Sequence, residues 1–387
     1  MRFALTTEQV ELRDEARAVF ESVKTEELER ERSEGVELGP AYRRTVRRLG
    51  ELGWLGTGWP KEYGGRGFTP FEQFIVFNEA QRAGVSLPMV TLNTVGPTLM
   101  HFGSEEQRAE FLPRILRGEV EFSIGYSEPE SGSDLASLRT RAVRDGNDYV
   151  INGQKIFTSG AGSSDYIWLA VRTNPDVPKH KGISILIVPT SSPGFSSSPI
   201  HTMPGVTTYA TYYDDVRIPV SSVVLGENEG WRLITTQLNF ERAALGSLGN
   251  LVPLVEQVKD WAATTERDGR AVLDDPWVQH TLARVEAEVE AYRLLNLRVA
   301  WAGTNGTLRP QDASAVKIYG TELTQEVARV LLQVVGREGI RNEHGPLAGR
   351  LERAYRNAVI NTFGGGANEI QRDILATMGL GLPRAPR

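Results

Sequence analysis

The sequence predicts a multi-domain α+β protein in which a helical region, a β-domain and a second helical region follow one another. With 387 residues, the chain exceeds the size that one hydrophobic core usually serves, so two or three domains are expected. Amphipathic helical patterns fill residues 1–118, and short β-branched and aromatic runs fill residues 119–230. Alanine-rich, charged helical patterns fill residues 231–387. These three ranges are the predicted domains.

The first region opens with a helix whose start is marked by a capping-box pattern. The run Thr-Thr-Glu-Gln begins at Thr6, and apolar residues then follow on roughly one helix face, at Val10, Leu12, Ala16 and Phe20. Glycine- and proline-containing turns separate the next predicted helices. These helices are predicted at 41–52, 70–83, 88–102 and 105–117.

The middle region is predicted to form a small β-domain, either a barrel or a sandwich. Its strands are predicted from the β-rich runs at 149–151, 166–171 and 183–188. Asp-Gly, Asn-Pro and Ser-Ser-Pro-Gly turns separate these runs. The pattern then returns to helices, which are predicted at about 231–266, 276–303, 310–336, 346–362 and 367–378.

Composition excludes several classes of function. The chain has no cysteine, so disulfides, thiolate nucleophiles, zinc–thiolate sites and iron–sulfur clusters are excluded. Its five histidines are scattered and do not have metal-ligand spacing. A net charge of −6 argues against a general nucleic-acid binder. The sequence has no signal-peptide pattern and no apolar run long enough to span a bilayer, so a cytoplasmic protein without a membrane partner is expected.

The stretch 126–160 has the features of a ligand-binding loop followed by an aromatic wall. Ser127, Gly132 and Ser133 place hydroxyls and backbone amides in one tight turn, which suits an anionic or polar-ringed ligand. Further along, Phe157 precedes the hydroxyl of Thr158, and such a pair can cover a planar heterocycle and bond to its edge. Serine-rich turns are also common in purely structural loops, which is the alternative interpretation.

A carboxylate occupies one position in the apolar stripe of the helix predicted from residue 231. Ile234, Leu238, Leu245 and Leu248 follow at helical spacing, and Glu241 falls on the same stripe. Burial among aliphatic residues raises the pKa of a carboxyl group, and such a group is suited to removing a carbon-bound proton in a water-poor pocket. A half-buried glutamate paired with a nearby arginine is the alternative.

Four stretches in the same order resemble the acyl-CoA dehydrogenase family. They are the 126–160 stretch, Trp-Pro-Lys-Glu-Tyr-Gly-Gly at 59–65, Tyr-Asp-Asp-Val-Arg-Ile-Pro at 213–219, and Gly-Gly-Gly-Ala-Asn-Glu-Ile-Gln-Arg at 364–372. The resemblance implies a helical domain, a β-domain and a C-terminal four-helix bundle. It also implies FAD as cofactor, oxidation of an acyl-CoA thioester to the trans-2-enoyl-CoA, and transfer of electrons to an electron-transfer flavoprotein. A homotetramer, built as a dimer of dimers, is the oligomer that the family implies.

The resemblance also assigns the catalytic residues. Most family members carry the base on the C-terminal turn, where this chain has Gly365. An isovaleryl- and long-chain-type branch carries it on the helix before an arginine, and Leu-Asn-Phe-Glu-Arg-Ala from Leu238 matches that pattern. Glu241 is therefore the predicted base. The Gly365 N–H is predicted to donate to the thioester carbonyl and to stabilise the charge that develops there.

The remaining site residues follow from the resemblance position by position. The flavin ring and pyrophosphate are predicted to contact Tyr126, Ser127, Gly132, Ser133, Phe157, Thr158 and Ser159. The adenosine end is predicted to contact Ala367, Asn368 and Glu369. The acyl-CoA substrate is predicted to contact Ser133, Asn239, Arg242 and Gly366, with a surface salt bridge as the alternative role of Arg242.

Two stretches depart from the family pattern in the part of the flavin site that a neighbouring subunit supplies. Gln333 and Gly336 stand where the family has a glutamine-led glycine turn, but Arg337 replaces the second glycine. The Arg-x-x-Phe-Gly motif is reduced to Gly269, with Arg267 displaced. We predict flavin contacts for Arg267, Gln333 and Gly336. The departures indicate either an altered grip on the pyrophosphate or a heterotetramer in which another chain completes the site.

Other functions have weaker support. The sequence contains no Rossmann glycine motif and no P-loop, and Pro129 breaks the nucleophile-elbow pattern that begins at Gly125. A flavin-dependent oxygenase or oxidase on the same fold commonly lacks the base, which Glu241 supplies here. A structural or regulatory subunit is the alternative from another class.

Overall fold

The computed structural model describes residues 4–241, 248–341, 347 and 349–383, and within these ranges the side chains of 238–241 are not described. The chain divides into two compact units. The helical unit contains Met1–Ser22, Thr69–Val85 and Ala243–Arg387, and the sheet unit contains Val23–Phe68 and Ser86–Arg242. The first and fourth helices of the chain therefore belong with the C-terminal helices.

The predicted order of helices, strands and helices is confirmed. In the described ranges the elements are α1 (Thr7–Ser22), α2 (Glu26–Ser33), α3 (Pro40–Glu51), α4 (Pro70–Ala83), α5 (Gly96–Phe102), α6 (Glu105–Leu116), β1 (Phe122–Gly125), β2 (Arg141–Asp145), β3 (Asp148–Lys155), β4 (Tyr166–Arg172), β5 (Ile183–Pro189), β6 (Phe195–His201), β7 (Thr207–Pro219), α7 (Gly230–Glu241), α8 (Leu248–Thr264), β8 (Glu266–Arg267), β9 (Arg270–Ala271), α9 (Pro276–Thr304), α10 (Pro310–Val335), α11 (Arg350–Ala358) and α12 (Asn368–Ile374). Short π-helical turns lie at Val90–Val95 and Leu375–Gly379.

The predicted capping box at the start of α1 is confirmed. Thr6 N–H donates to Gln9 Oε1 at 3.0 Å, and Gln9 N–H donates to Thr6 Oγ1 at 3.3 Å. Thr69 and Glu72 form the same reciprocal pair at the start of α4. In each case the side chains satisfy backbone donors that the first turn of a helix leaves unpaired.

The sheet unit contains one seven-stranded mixed sheet with the order β1-β4-β2-β3-β7-β6, and β5 pairs with β4. β4 is parallel to β1 and antiparallel to β5. On β4, the alternate residues Ile167 and Leu169 join the core of the sheet unit, and Trp168 between them is also buried. Burial on both faces explains why this strand is a continuous apolar run.

A β-bulge interrupts the pairing of β3 with β7. The register of β3 with β7 shifts between Ile151 and Gly153. Asn152 and Asp215 exchange two hydrogen bonds across the shift, at 2.9 and 3.0 Å, and Asp215 has a left-handed φ of 50°. The exchange stabilises the irregularity, and β3 continues in register to Lys155.

Helices α8, α9, α10 and α11 of the helical unit share one apolar core. Val258 on α8, Val285 on α9, Val327 on α10 and Leu351 on α11 are fully buried in it. A Cβ added to Gly320 on α10 would lie 2.1 Å from the Tyr292 hydroxyl of α9, so glycine permits this contact. No helix among the described residues is both long enough and apolar enough to cross a membrane.

Candidate active site

The serine loop, residues 126–133, follows β1 in the sheet unit. Glu128 and Ser131 exchange two backbone hydrogen bonds at 2.8 and 3.0 Å, which closes the loop tightly. The hydroxyls of Ser127 and Ser133 have no partner within the described chain. Gly132 is exposed, and a Cβ added there would meet open space. The loop therefore presents unpaired hydroxyls, and their contact with a ligand stays a prediction.

A buried ion pair, which sequence reasoning missed, holds this loop. The Lys155 side chain is completely buried, and its Nζ donates to Glu128 Oε1 at 2.8 Å and to the Tyr126 carbonyl at 3.1 Å. The Glu128 carboxylate also accepts the backbone N–H groups of Arg139 and Thr140, at 2.6 and 2.9 Å. Three stretches of chain, at residues 126–128, 139–140 and 155, thus meet at this one ion pair.

Burial and pairing act on the pKa values of this pair. Burial lowers the pKa of Lys155 to about 8, against the opposing effect of the Glu128 charge. Burial alone would raise the pKa of Glu128, but the Lys155 ammonium and the two N–H donors outweigh it, so that this pKa is lowered. Both groups are therefore charged at neutral pH.

The Tyr126 side chain is occupied by protein groups. Its hydroxyl donates to Gln237 Oε1 at 2.6 Å and accepts the Trp168 indole N–H at 3.2 Å. Gln237 is buried on α7, one helical turn before position 241. The hydroxyl thus links the serine loop to the helix of the predicted base, and the flavin contact predicted for Tyr126 is left to its other atoms.

The stretch predicted to cover a planar ligand, residues 157–160, combines an exposed ring with two hydroxyl side chains. Phe157 has 62% of its surface exposed and a left-handed φ of 58°, an uncommon conformation for a bulky residue. Thr158 is fully buried, and its Oγ1 has no partner in the described chain. Ser159 Oγ lies 3.1 Å from Thr208 Oγ1. An exposed ring beside an unsatisfied hydroxyl fits a polar heterocycle, and backbone strain of this kind often marks a functional site.

Glu37 and Leu38 support this wall and were also missed. Burial raises the pKa of the Glu37 carboxyl, and the nearby backbone N–H of Gly160 acts to lower it. A Cβ added to Gly160 would lie 3.0 Å from Leu38 Cδ1, and Leu38 itself has a φ of 52°. Gly160, at φ 79°, can therefore adopt a close turn against residues 37–38 that other residues could not.

The glycine turn, residues 364–366, belongs to the helical unit. Gly365 and Gly366 have φ values of 66° and 96°, and their N–H groups have no partner among the described residues. A Cβ added to Gly365 would meet open space within 4 Å. The turn can therefore present backbone donors, and it carries no carboxylate.

The predicted adenosine contacts beside this turn differ in accessibility. Asn368 is buried, and its Nδ2 donates to Thr321 Oγ1 and Glu322 Oε1, each at 3.1 Å. Its amide is thus occupied within the protein. Ala367 is half-buried and precedes α12, and Glu369 is exposed.

The residues predicted for the cross-subunit flavin contact lie together at the end of α10. Arg267 Nη2 donates to the carbonyls of Val334 and Val335, at 3.5 and 3.3 Å, just before Gly336 ends the helix at φ 71°. A cation at the C-terminal end of a helix interacts favourably with the helix dipole. Gln333 is exposed. In this chain Arg267 therefore caps a helix.

The predicted base lies at the limit of the described residues. Glu241 is the last residue of α7, and its side chain, like that of Asn239, is not described. Arg242 lies outside the described residues. Ile234 and Leu248, at the two ends of the predicted apolar stripe, are both buried. The roles of Glu241, Asn239 and Arg242 stay predictions. Among the described residues no cluster of three His, Asp or Glu side chains could hold a metal ion.

Three family models cover most of the chain. The N-terminal, middle and C-terminal domains of acyl-CoA dehydrogenase match residues 6–119, 123–216 and 228–380. The chain is 49% identical to acyl-CoA dehydrogenase FadE26 of Mycobacterium tuberculosis over 100% of both proteins. Two solved structures superpose over 100% of both chains with TM-scores of 0.94. They are the Tcur3481-Tcur3483 steroid ACAD, at 52% identity, and the ChsE4-ChsE5 complex from Mycobacterium tuberculosis, at 49%. The chain belongs to the acyl-CoA dehydrogenase family, a family of oxidoreductase flavoproteins.

Proposed function

We propose that this chain oxidises an acyl-CoA thioester to its trans-2-enoyl form with FAD as cofactor, and that it works in a complex with a second, different chain. The observation that carries the proposal is the geometry of Gly365. Its N–H is unpaired, its φ is left-handed and it has no side chain. The turn can therefore supply a hydrogen-bond donor, and the base must come from another position.

Glu241 is the residue proposed for proton removal. It accepts the proton from the α-carbon of the thioester, while the Gly365 N–H stabilises the charge that develops on the thioester oxygen. Ile234 on the same helix is buried, which supports an apolar surrounding that would raise the pKa of the glutamate and suit it to act as a base.

The serine loop and the aromatic wall are proposed to hold FAD. Their unpaired hydroxyls, at Ser127, Ser133 and Thr158, together with the exposed Phe157 ring, fit a polar planar group. When bound, FAD supplies the acceptor for the hydride that leaves the β-carbon. An electron-transfer flavoprotein is the proposed final acceptor of the electrons.

A second chain is proposed to complete the flavin site. Arg337 replaces a glycine of the family pattern, and Arg267 is engaged with the carbonyls of Val334 and Val335. The similarity to one half of the Tcur3481-Tcur3483 and ChsE4-ChsE5 pairs supports a heteromeric complex over a homotetramer. The similarity to the Tcur3481-Tcur3483 steroid ACAD supports a thioester with a bulky polycyclic acyl group as substrate.

The test is the visible spectrum of the protein, purified alone and from a pull-down of its native host lysate, before and after anaerobic addition of acyl-CoAs. The panel contains short, branched, long-chain and steroid-side-chain thioesters. Flavin absorbance near roughly 450 nm should bleach with the steroid class, and only when the second chain is present. A yellow homotetramer that reacts with straight-chain thioesters would contradict the proposed complex and substrate.

Glu241→Gln tests the proposed base in the same assay. The variant should retain wild-type flavin content, and its rate of flavin reduction should fall by about 10²- to 10⁴-fold, the usual contribution of a general base. Glu256→Gln, on the exposed surface of α8, is the matched control. Near-wild-type reduction by Glu241→Gln would refute the assignment.

A further inference from the structure

One lysine of α10 binds backbone carbonyls on both sides of Gly365. Lys317 Nζ donates to the Thr362 carbonyl at 3.2 Å and to the Gly366 carbonyl at 2.8 Å. Its third contact is Asn368 Oδ1, at 2.7 Å. Lys317 is 8% exposed. Burial lowers its pKa, and Glu369 and Glu322 act on that pKa through their charges without a hydrogen bond to the ammonium. All three of its acceptors belong to the turn or its immediate flanks.

These contacts fix the orientation of the backbone. A peptide group is planar and trans, so a carbonyl directed at Lys317 points the N–H of the same peptide the opposite way. The Gly366 carbonyl thereby sets the direction of the Ala367 N–H. With the Thr362 carbonyl bound to the same ammonium, both ends of the segment that contains Gly365 are held.

Gly365 needs such an anchor because its own backbone is weakly constrained. Glycine populates left-handed and right-handed conformations about equally, and nothing lies within 4 Å of the position that a Cβ at Gly365 would occupy. Within the turn, the backbone hydrogen bond from Gly364 N–H to the Ile360 carbonyl, at 2.8 Å, precedes Gly365. The external contacts from Lys317 therefore restrict the directions in which the Gly365 N–H can point.

Asn368 forms further hydrogen bonds between the end of the glycine turn and α10. Its Oδ1 accepts from Lys317, and its Nδ2 donates to Thr321 and Glu322, which lie one turn further along the same helix. Arg372 of α12 pairs with Glu322 at 2.6 Å. The turn and α12 are thus attached to α10 by hydrogen bonds from Lys317, Asn368 and Arg372.

We propose that Lys317 is a positioning residue for the dehydrogenation, because it holds the glycine turn so that the Gly365 N–H is oriented before the substrate binds. This inference rests on the proposed function. A preformed donor acts on the charge that develops in the transition state more than on the ground state. Loss of Lys317 should therefore lower kcat and leave KM nearly unchanged.

The test compares Lys317→Met with Lys259→Met in the complete protein. Lys259 is an exposed lysine of α8 that pairs with Glu286, so its variant controls for the loss of one positive charge. Hydrogen exchange of the peptides that cover residues 360–372 is followed by mass spectrometry, and kcat, KM and flavin content are measured on the same samples.

In Lys317→Met, exchange of these peptides should accelerate at least tenfold, and kcat should fall by about 10²-fold, as misplacement of a catalytic group by about 1 Å does. KM should change by less than about threefold, flavin content should be that of the wild type, and Lys259→Met should change none of these. Unchanged exchange, or a rise in KM with kcat preserved, would overturn the proposal.

Failure of the variant to fold and failure of the proposed function can be told apart from failure of the Lys317 proposal. Should Lys317→Met fail to fold, Lys317→Gln retains one donor for the carbonyls and should give intermediate exchange and kcat; wild-type values for both would overturn the proposal. A wild-type protein that reacts with no thioester would count against the proposed function. The exchange comparison, which requires no substrate, would then decide alone whether Lys317 holds the turn.

Discussion

The serine loop of the sheet unit and the glycine turn of the helical unit are both held by a lysine that binds backbone carbonyls, but the two lysines differ in their counterions. Lys155 is completely buried and contacts the Glu128 carboxylate at 2.8 Å. Lys317 is buried against two carbonyls and an amide oxygen. Removing one partner of a buried ion pair leaves an uncompensated charge, whereas removing Lys317 leaves only neutral acceptors unpaired.

Because of this difference, we expect Lys155 to contribute mainly to the stability of the protein and Lys317 mainly to the orientation of the glycine turn. The Lys155–Glu128 pair joins three stretches of chain, so its loss should lower the free energy of unfolding of the whole protein. Lys317 contacts only the glycine turn and its flanks, so loss of these contacts should mainly increase the local mobility of the turn. The predictions below test that contrast, from the largest expected effect on stability to the smallest.

Lys155→Met should lower the free energy of unfolding by about 3–5 kcal/mol, the usual cost of breaking a buried pair from one side. The double variant Lys155→Met with Glu128→Gln should be more stable than the single one, because the orphaned charge is gone. Thermal and urea unfolding of the wild type, both single variants and the double variant measure this coupling. Additive effects in the double variant would contradict the proposed role of the ion pair.

Glu121 is a buried carboxyl that, unlike Glu128, has no cation in contact with it among the described residues. Its oxygens accept from the Tyr42 hydroxyl at 3.0 Å and the Thr91 hydroxyl at 3.2 Å. Its own N–H donates to Asp165, which pairs with Arg43. Burial raises the pKa of Glu121 from 4.5 to about 7, although both hydroxyls and the Arg43 charge act to lower it. Glu128 shows the opposite shift because Lys155 contacts it.

The raised pKa of Glu121 predicts a pH-dependent stability. Below 4.5 the carboxyl is protonated in both the folded and the unfolded state, so its contribution to stability is fully present. Between 4.5 and about 7 only the unfolded state ionises, so that stability is lost as the pH rises through the folded pKa. Relative to Glu121→Gln, the wild type should lose on the order of 3 kcal/mol over this window.

Urea unfolding of both proteins at about pH 5 and about pH 8 measures the predicted change. Glu51→Gln, which alters an exposed carboxylate of α3, serves as the control and should show little difference from the wild type. A stability difference between the wild type and Glu121→Gln that does not vary with pH would contradict the prediction.

Arg267→Ala should have the smallest effect. A cation at an exposed helix C-terminus usually contributes about 0.3–1 kcal/mol, and the two contacts of Arg267 are long, at 3.3 and 3.5 Å. We expect a small decrease in thermal stability and unchanged flavin content. Loss of flavin from this variant, measured by its visible spectrum, would instead support the cofactor contact that the sequence predicted for Arg267.

Local patterns were predictable because their determinants are close in sequence. The capping pair Thr6 and Gln9 are three positions apart, and the continuous apolar run of β4 is typical of a strand buried on both faces. The predicted bounds of α4, 70–83, are those observed. The glycine turn and the serine loop were likewise recognisable in the sequence, because their glycines and small serines leave the backbone accessible.

The groups that hold these turns were not predictable, since they come from distant parts of the chain. Lys155 lies 27 residues from Glu128, Lys317 lies 49 residues from Gly366, and Tyr126 lies 111 residues from Gln237. In the sequence, Lys155 and Lys317 read as ordinary surface lysines. Only burial distinguishes them from the other lysines.

By itself the sequence determined the order of the three regions, the family, and which short segments carry hydroxyls, glycines and a candidate base. These properties depend on residue type and local spacing. Only the tertiary structure decided that the Tyr126 hydroxyl and the Asn368 amide are occupied by protein groups, and that the buried Thr158 Oγ1 has no partner among the described residues. It also decided that two lysines hold the serine loop and the glycine turn. A hydrogen bond or an ion pair forms where folding removes water from two distant groups together, and that pairing is a property of the packed chain.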